Sequence, residues 1–157
     1  MLEAEFLTLI DQHQGIIHKI CRLYRDSKED REDLFQEIVF QLWKSVPAFE
    51  GKAKFSSWMY RVALSTAIAV FRKKKPNIRY MPALPDEEDP QAQPDEQREQ
   101  FFLALKKLND ADKALITLYL EDLSYLEIAE IIGISESNVG VRLNRIKTKI
   151  QQLLKNE

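Results

Sequence analysis

The stretch from Leu123 to Ile150, LSYLEIAEIIGISESNVGVRLNRIKTKI, constrains the fold more than any other part of the chain. Ser124 with Glu127 three residues later forms a capping box, in which each side chain can satisfy a backbone N–H of the other residue. A helix therefore starts at Ser124. It continues through Ile128, Ala129, Ile131 and Ile132 to Gly133, a residue free to take the positive φ that a helix end and a sharp turn require. Ser135 is a second N-cap, and Val139, Leu143, Ile146, Ile150 and Leu153 then recur at helical spacing. That stripe is core. At about 100° per residue the opposite face holds Ser137, Val141, Asn144 and Thr148, flanked by Asn138, Arg142, Arg145, Lys147 and Lys149. Short side chains near the N-terminus, amides and guanidinium groups for base edges, and cations for phosphates are what a helix in a DNA major groove needs. The pattern is a helix-turn-helix.

The remaining composition sets bounds. With 157 residues, 45% hydrophobic and 31% charged, the chain makes one or two small globular domains. No apolar run is long enough for a membrane span, and MLEAEFLTLIDQHQ has acids where a signal peptide has bases, so a cytosolic protein with no direct membrane insertion is expected. The single Cys21 falls on an apolar helical stripe, which favours a buried thiol. A net charge of -2 argues against nucleic-acid binding only if charge is averaged over the chain. Residues 121–134 hold four acids and no base, whereas 135–149 hold four bases against Glu136 alone. A phosphate backbone feels the second segment rather than the mean.

Along the chain, residues 3–25 read as a helix with Phe6, Leu9, Ile10, His13, Ile17, Ile20, Cys21 and Tyr24 on one face. His13 has no histidine or cysteine set to join, and is read as core rather than ligand. After a polar break at 26–30, a second helix runs from about Arg31 to Val46, with Leu34, Phe35, Ile38, Val39, Leu42, Trp43 and Val46 inward and Pro47 at its end. Opposite lie Asp33, Gln36, Glu37, Phe40 and Lys44. A phenylalanine among charges suits either a protein interface or burial against another helix of the same domain. Phe49 to Arg61, FEGKAKFSSWMYR, interleaves aromatics with Lys52, Lys54 and Arg61, the mixture that stacks and tracks single-stranded nucleic acid. Trp58 and Phe55 are also expected in the core. The helix continues to a cationic tip, Arg72 to Lys75. Residues 76–95 hold five of the six prolines and a run of acids, reading as an extended tether before helices resume at Gln97. The fold expected is all-α: two small helical domains, 1–75 and 97–157, joined by an acidic proline-rich linker, 76–96.

Taken together, DLFQEIVFQLW, KFSSWMYRVALSTAIAVFRKKK, the acidic linker and LSYLEIAEIIGISESNVGVRLNRIK resemble a minimal sigma-70 family factor of the extracytoplasmic function (ECF) type. The resemblance implies a region 2 domain that binds the clamp helices of core RNA polymerase and opens the -10 promoter element. It implies a region 4 domain that binds the polymerase flap and the -35 element. Promoter DNA, duplex and single-stranded, would be the second partner, and an anti-sigma factor a frequent third. Carried over by residue, it places polymerase binding on Asp33, Gln36, Glu37 and Phe40. Contact with -10 DNA falls to Lys52, Lys54, Phe55, Ser56 and Ser57 in a specificity loop, to Trp58, Tyr60 and Arg61 at the start of the supporting helix, and to Ser65 and Arg72 beyond. Contact with -35 DNA falls to Ser137, Asn138, Val141, Arg142, Asn144, Arg145 and Lys149. Ser65 and Ala69 stand where asparagine and aspartate are frequent in the family. The linker resembles the family's segment that threads nucleic-acid channels of the polymerase.

The rival reading is a stand-alone helix-turn-helix regulator, which would bind palindromes as a dimer. An enzyme fits less well than either. The sequence has no Gly-rich phosphate loop, metal set or nucleophile with a neighbouring base, and neither cofactor nor metal is expected.

Overall fold

The computed structural model describes residues 2–49, 51, 54–72 and 95–155, without the side chains of 70–72. Lys52, most of the acidic linker and the tip at 73–75 lie outside the described residues. The chain divides into two compact units, Met1–Glu88 and Asp89–Glu157. All regular structure among the described residues is helical.

In the first unit α1 (Glu3–Tyr24), α2 (Lys28–Ser45) and α3 (Phe55–Arg72) pack pairwise into a three-helix core. Each contributes one apolar stripe: Phe6, Ile10, Ile17 and Ile20 from α1; Leu34, Ile38 and Leu42 from α2; Met59, Ala63, Leu64 and Ala67 from α3, all close to fully buried. Ala63 and Ala67, one turn apart, keep that face of α3 low. Arg25, just past the end of α1, is 8% exposed yet satisfied. Its guanidinium donates to Tyr24 O at 2.8 Å and Ala67 O at 3.0 Å, tying the end of α1 to α3.

Helix α2 starts earlier than the expected Arg31. Ser27 accepts from the Asp30 N–H at 3.1 Å, and Glu29 and Asp30 place negative charge at the positive end of the helix. The supposed polar break is an N-cap. The far end tightens into a 3-10 turn, Val46–Ala48, in which Pro47 needs no N–H partner. Gly51 then takes φ of 74°, a turn conformation that costs glycine nothing.

The second unit contains α4 (Glu96–Lys106), α5 (Asp110–Leu120), α6 (Tyr125–Ile132) and α7 (Glu136–Lys155), with α7 packed against the other three. Asp95, Asn109 and Ser124 cap the first three through side-chain oxygens. The capping box is complete: Glu127 N–H donates to Ser124 Oγ at 3.1 Å, and Ser124 N–H to Glu127 Oε1 at 3.2 Å. Gly133 ends α6 at φ 85°, and the N–H groups of Gly133 and Ile134 both reach Ala129 O. Ser135 accepts from the Asn138 N–H at 3.2 Å and starts α7. Val139, Leu143, Ile146 and Ile150 are buried, as their spacing predicts, and Leu153 is half-buried.

Replacing Ser124 by Ala removes one side of the capping box and should lower stability by about 1 kcal/mol. Leu143→Ala, from the centre of the α7 stripe, should cost about 2–5 kcal/mol. Urea unfolding followed by circular dichroism measures both; a larger loss for Ser124→Ala than for Leu143→Ala would contradict this ordering.

Candidate nucleic-acid and partner interfaces

Three surfaces carry the residues singled out in the sequence. On α2, Asp33 and Phe40 are exposed and Gln36 is half-buried. Phe40 is 42% exposed, so it belongs to no core within its unit. Trp43, expected inside, is 38% exposed and leans on Phe6 with ring centroids 5.0 Å apart. Glu37 goes the other way. It is 8% exposed, its Oε1 accepts from Gln41 Nε2 at 3.0 Å, and its Oε2 has no hydrogen-bond partner among the described residues. The helical wheel sets Glu37 at the margin of the polar face, where covering side chains rather than periodicity decide exposure.

The second surface is the start of α3. Phe49, Phe55 and Trp58 form a half-exposed aromatic cluster: Trp58 lies 4.8 Å from Phe49 and 5.4 Å from Phe55, and Phe49 meets Phe55 edge-on at 6.1 Å. His13 of α1 closes it, 5.1 Å from Phe55, with Nδ1 2.8 Å from Leu9 O. The rings expected in the core, Phe55 and Trp58, are therefore only half-buried, and Met59 and Tyr60 take the interior at 0% and 3% exposure. The reason is angular: Trp58, Arg61 and Ser65 follow one another at steps of three and four, opposite Met59, Ala63 and Ala67. Trp58, Arg61, Val62, Ser65 and Thr66 line an open groove of about 410 Å³ with Gln41, Ser45 and Ala48. Lys54, Arg61 and Ser65 are exposed.

Helix α3 begins at Phe55, so Phe55, Ser56 and Ser57 form its first turn rather than a loop, with the Trp58 N–H donating to Lys54 O at 3.1 Å. Ser57 is buried, its hydroxyl without a hydrogen-bond partner among the described residues. Ser56 is half-buried. Lys52 and the Arg72 side chain lie outside the described residues.

The third surface is α7. Ser137, Asn138, Val141, Asn144, Arg145 and Lys149 are exposed and Arg142 half-buried. Sequence reading missed what happens on the flanks. Asp112 of α5 lies 3.8 Å from Arg142 and 3.3 Å from Lys149, while Lys147 sits 4.5 Å above the Tyr119 ring and donates to its hydroxyl at 3.2 Å. No local pattern pairs residues 28 to 37 positions apart, so only the packing of α5 on α7 could reveal them.

Two separate families match in chain order: Sigma-70 region 2 over residues 9–76 and Sigma-70, region 4 over residues 98–150. The sigma factor SigV of Bacillus subtilis is 30% identical over 145 residues, covering 91% of this chain and 87% of SigV. This chain belongs to the sigma-70 family, as an ECF sigma factor. The ECF sigma factor SigW of the same organism is 26% identical over 170 residues, covering 96% and 89% of the two chains. The fold of this sigma factor is also that of RpoE in its complex with the anti-sigma factor NepR from Bartonella quintana, with TM-score 0.70, 19% identity, and 96% and 97% of the chains covered. The region 2 match removes the stand-alone regulator, whose N-terminal part would have no reason to match it.

The exposure pattern is checked by stability alone. Phe40→Ala should shift the unfolding free energy by under about 0.5 kcal/mol. Ile38→Ala, two residues away and fully buried, should cost about 2–5 kcal/mol. Both tryptophans lie in this unit, so fluorescence-detected urea unfolding reports it directly. Equal losses would mean that Phe40 is buried.

Proposed function

We propose how this ECF sigma factor, which binds core RNA polymerase and directs it to promoters, divides that work among its three surfaces. Phe40, with Asp33 and Gln36 around it, docks the polymerase clamp helices as an aromatic anchor within a polar rim. Glu37, buried beneath them, supports that face rather than touching the partner. The Phe49–Phe55–Trp58 cluster and the groove beside it, with Lys54, Ser56, Arg61 and Ser65, capture unstacked bases of the -10 element. Stacking offers about 1–3 kcal/mol per base, comparable with the cost of unstacking it, so strand opening needs binding energy and no bond chemistry. Tyr60 and Ser57 lie beneath this surface and position it. Helix α7 enters the major groove of the -35 element with Ser137, Asn138, Val141, Asn144 and Arg145 foremost.

The observation that carries this reading is the pairing, in one short chain, of regions 2 and 4, each with most of its candidate contact side chains turned away from its own core, Glu37, Ser57 and Tyr60 excepted. The proposed place of action is the cytoplasm; no helix among the described residues is long and apolar enough to cross a membrane. RpoE in its solved complex is bound by an anti-sigma factor. A partner of that kind would find exposed apolar side chains on each unit here, among them Leu7 and Phe40 in the first and Leu126 and Leu154 in the second.

Titration of labelled full-length chain into core RNA polymerase tests the α2 assignment. Phe40→Ala should weaken binding by about 1–2 kcal/mol, roughly five- to thirtyfold, with the fold intact. Unchanged affinity would remove Phe40 from the interface. For α7, Arg145→Ala should flatten the dependence of log affinity for duplex DNA on log salt by about 0.9. Parallel salt plots for the two proteins would contradict a phosphate or base contact by Arg145.

A further inference from the structure

Asp112 is 9% exposed, in the first turn of α5, where its N–H donates to the Asn109 cap at 2.8 Å. Its two oxygens face two different cations of α7: Oδ1 lies 3.8 Å from the Arg142 guanidinium and Oδ2 3.3 Å from Lys149 Nζ. Residues 142 and 149 are two helical turns apart and share one flank, so a single carboxylate serves both. The other flank is held as well, by Tyr119 against Lys147. Of the four bases between 135 and 149, only Arg145 is without such a partner among the described residues; it points into solvent.

A buried carboxylate beside a DNA-reading helix is costly for raw affinity. It cancels positive potential where phosphates would approach, and it holds two of the cations that would neutralise them. Phosphate contacts carry no sequence information, whereas base-edge contacts do. We propose that Asp112 is a positioning residue that restrains Arg142 and Lys149 against α5, thereby limiting sequence-independent DNA binding and leaving discrimination to Ser137, Asn138, Val141, Asn144 and Arg145. The proposal rests on α7 being the DNA-reading helix. An ion pair serving stability alone would have the same geometry, and the two roles differ in how DNA binding responds to salt.

The test uses the full-length chain and a mixed-sequence duplex of 30 base pairs, with affinity measured by fluorescence anisotropy between 50 and 200 mM KCl. Asp112→Asn should steepen the slope of log affinity against log salt by about 0.9–1.8, one or two added phosphate contacts, so that its affinity falls an extra three- to twelvefold or so across that range. Asp112→Glu, which keeps the charge, should track the unaltered chain. In an Arg142→Gln, Lys149→Gln background the Asp112→Asn effect should vanish. Independently of any change at Asp112, Arg142→Gln and Lys149→Gln should each flatten the slope by less than half as much as Arg145→Gln. Parallel slopes for Asp112→Asn and the unaltered chain, or weaker binding at unchanged slope, would overturn the restraint and leave a structural ion pair. A steepening that persists without Arg142 and Lys149 would overturn it too. If the unaltered chain binds no duplex even at 50 mM, the DNA-reading role of α7 itself fails, a result distinct from the others.

Discussion

Burial of Val139, Leu143, Ile146 and Ile150 determines how α7 presents every other side chain it carries. A helix has one circumference, and a stripe committed to the core fixes the rotation of the rest. With that stripe held by α4, α5 and α6, the positions at 137, 141 and 144 point outward and those at 142, 147 and 149 fall on the flanks, within reach of α5. The same logic orders α3, where the Met59, Ala63 and Ala67 stripe turns Trp58, Arg61 and Ser65 outward. The candidate contact surfaces in both units are what remains after the core has been assigned. Small alanines and a capping box thereby set which side chains each helix presents.

Electrostatics acts at a second level. A net charge of -2 says little about a protein whose bases and acids are arranged by face. On α7 the arrangement goes further, since three of the four bases between 135 and 149 are engaged by Asp112 and Tyr119. The face of α7 proposed to read DNA is thus more polar than cationic, with amides, a hydroxyl and an exposed valine in front. Such a surface favours reading over adhesion, which suits a factor that must leave most of a chromosome unbound.

In the helix-turn-helix the helices and their caps are legible in the sequence because the determinants are local. Ser124 with Glu127, Gly133 and Ser135 set the helix-turn-helix through contacts a few residues apart, and periodicity identified the α7 core correctly. The start of α2 is masked in the sequence because the Ser27 cap is followed by an acidic first turn that has the composition of a polar break. Hydrophobicity alone points Trp58 and Phe55 inward, but the phase of Trp58 on α3 puts it opposite the buried stripe, and Phe55, at the first position of the helix, is only half-buried against His13 and Phe49. Glu37 shows the converse: a charged residue on a nominally polar face that neighbouring side chains cover. Asp112 could not be found from sequence, because its partners lie 30 and 37 residues away on another helix.

By itself, this chain should give core RNA polymerase a promoter preference. Transcription by core polymerase from a library of promoter fragments, with and without the purified chain, tests it most directly when start sites are mapped. New start sites should appear only with the chain and share two sequence blocks upstream, one near -10 and one near -35. No new start sites, with the chain nonetheless folded and binding duplex DNA on its own, would contradict it.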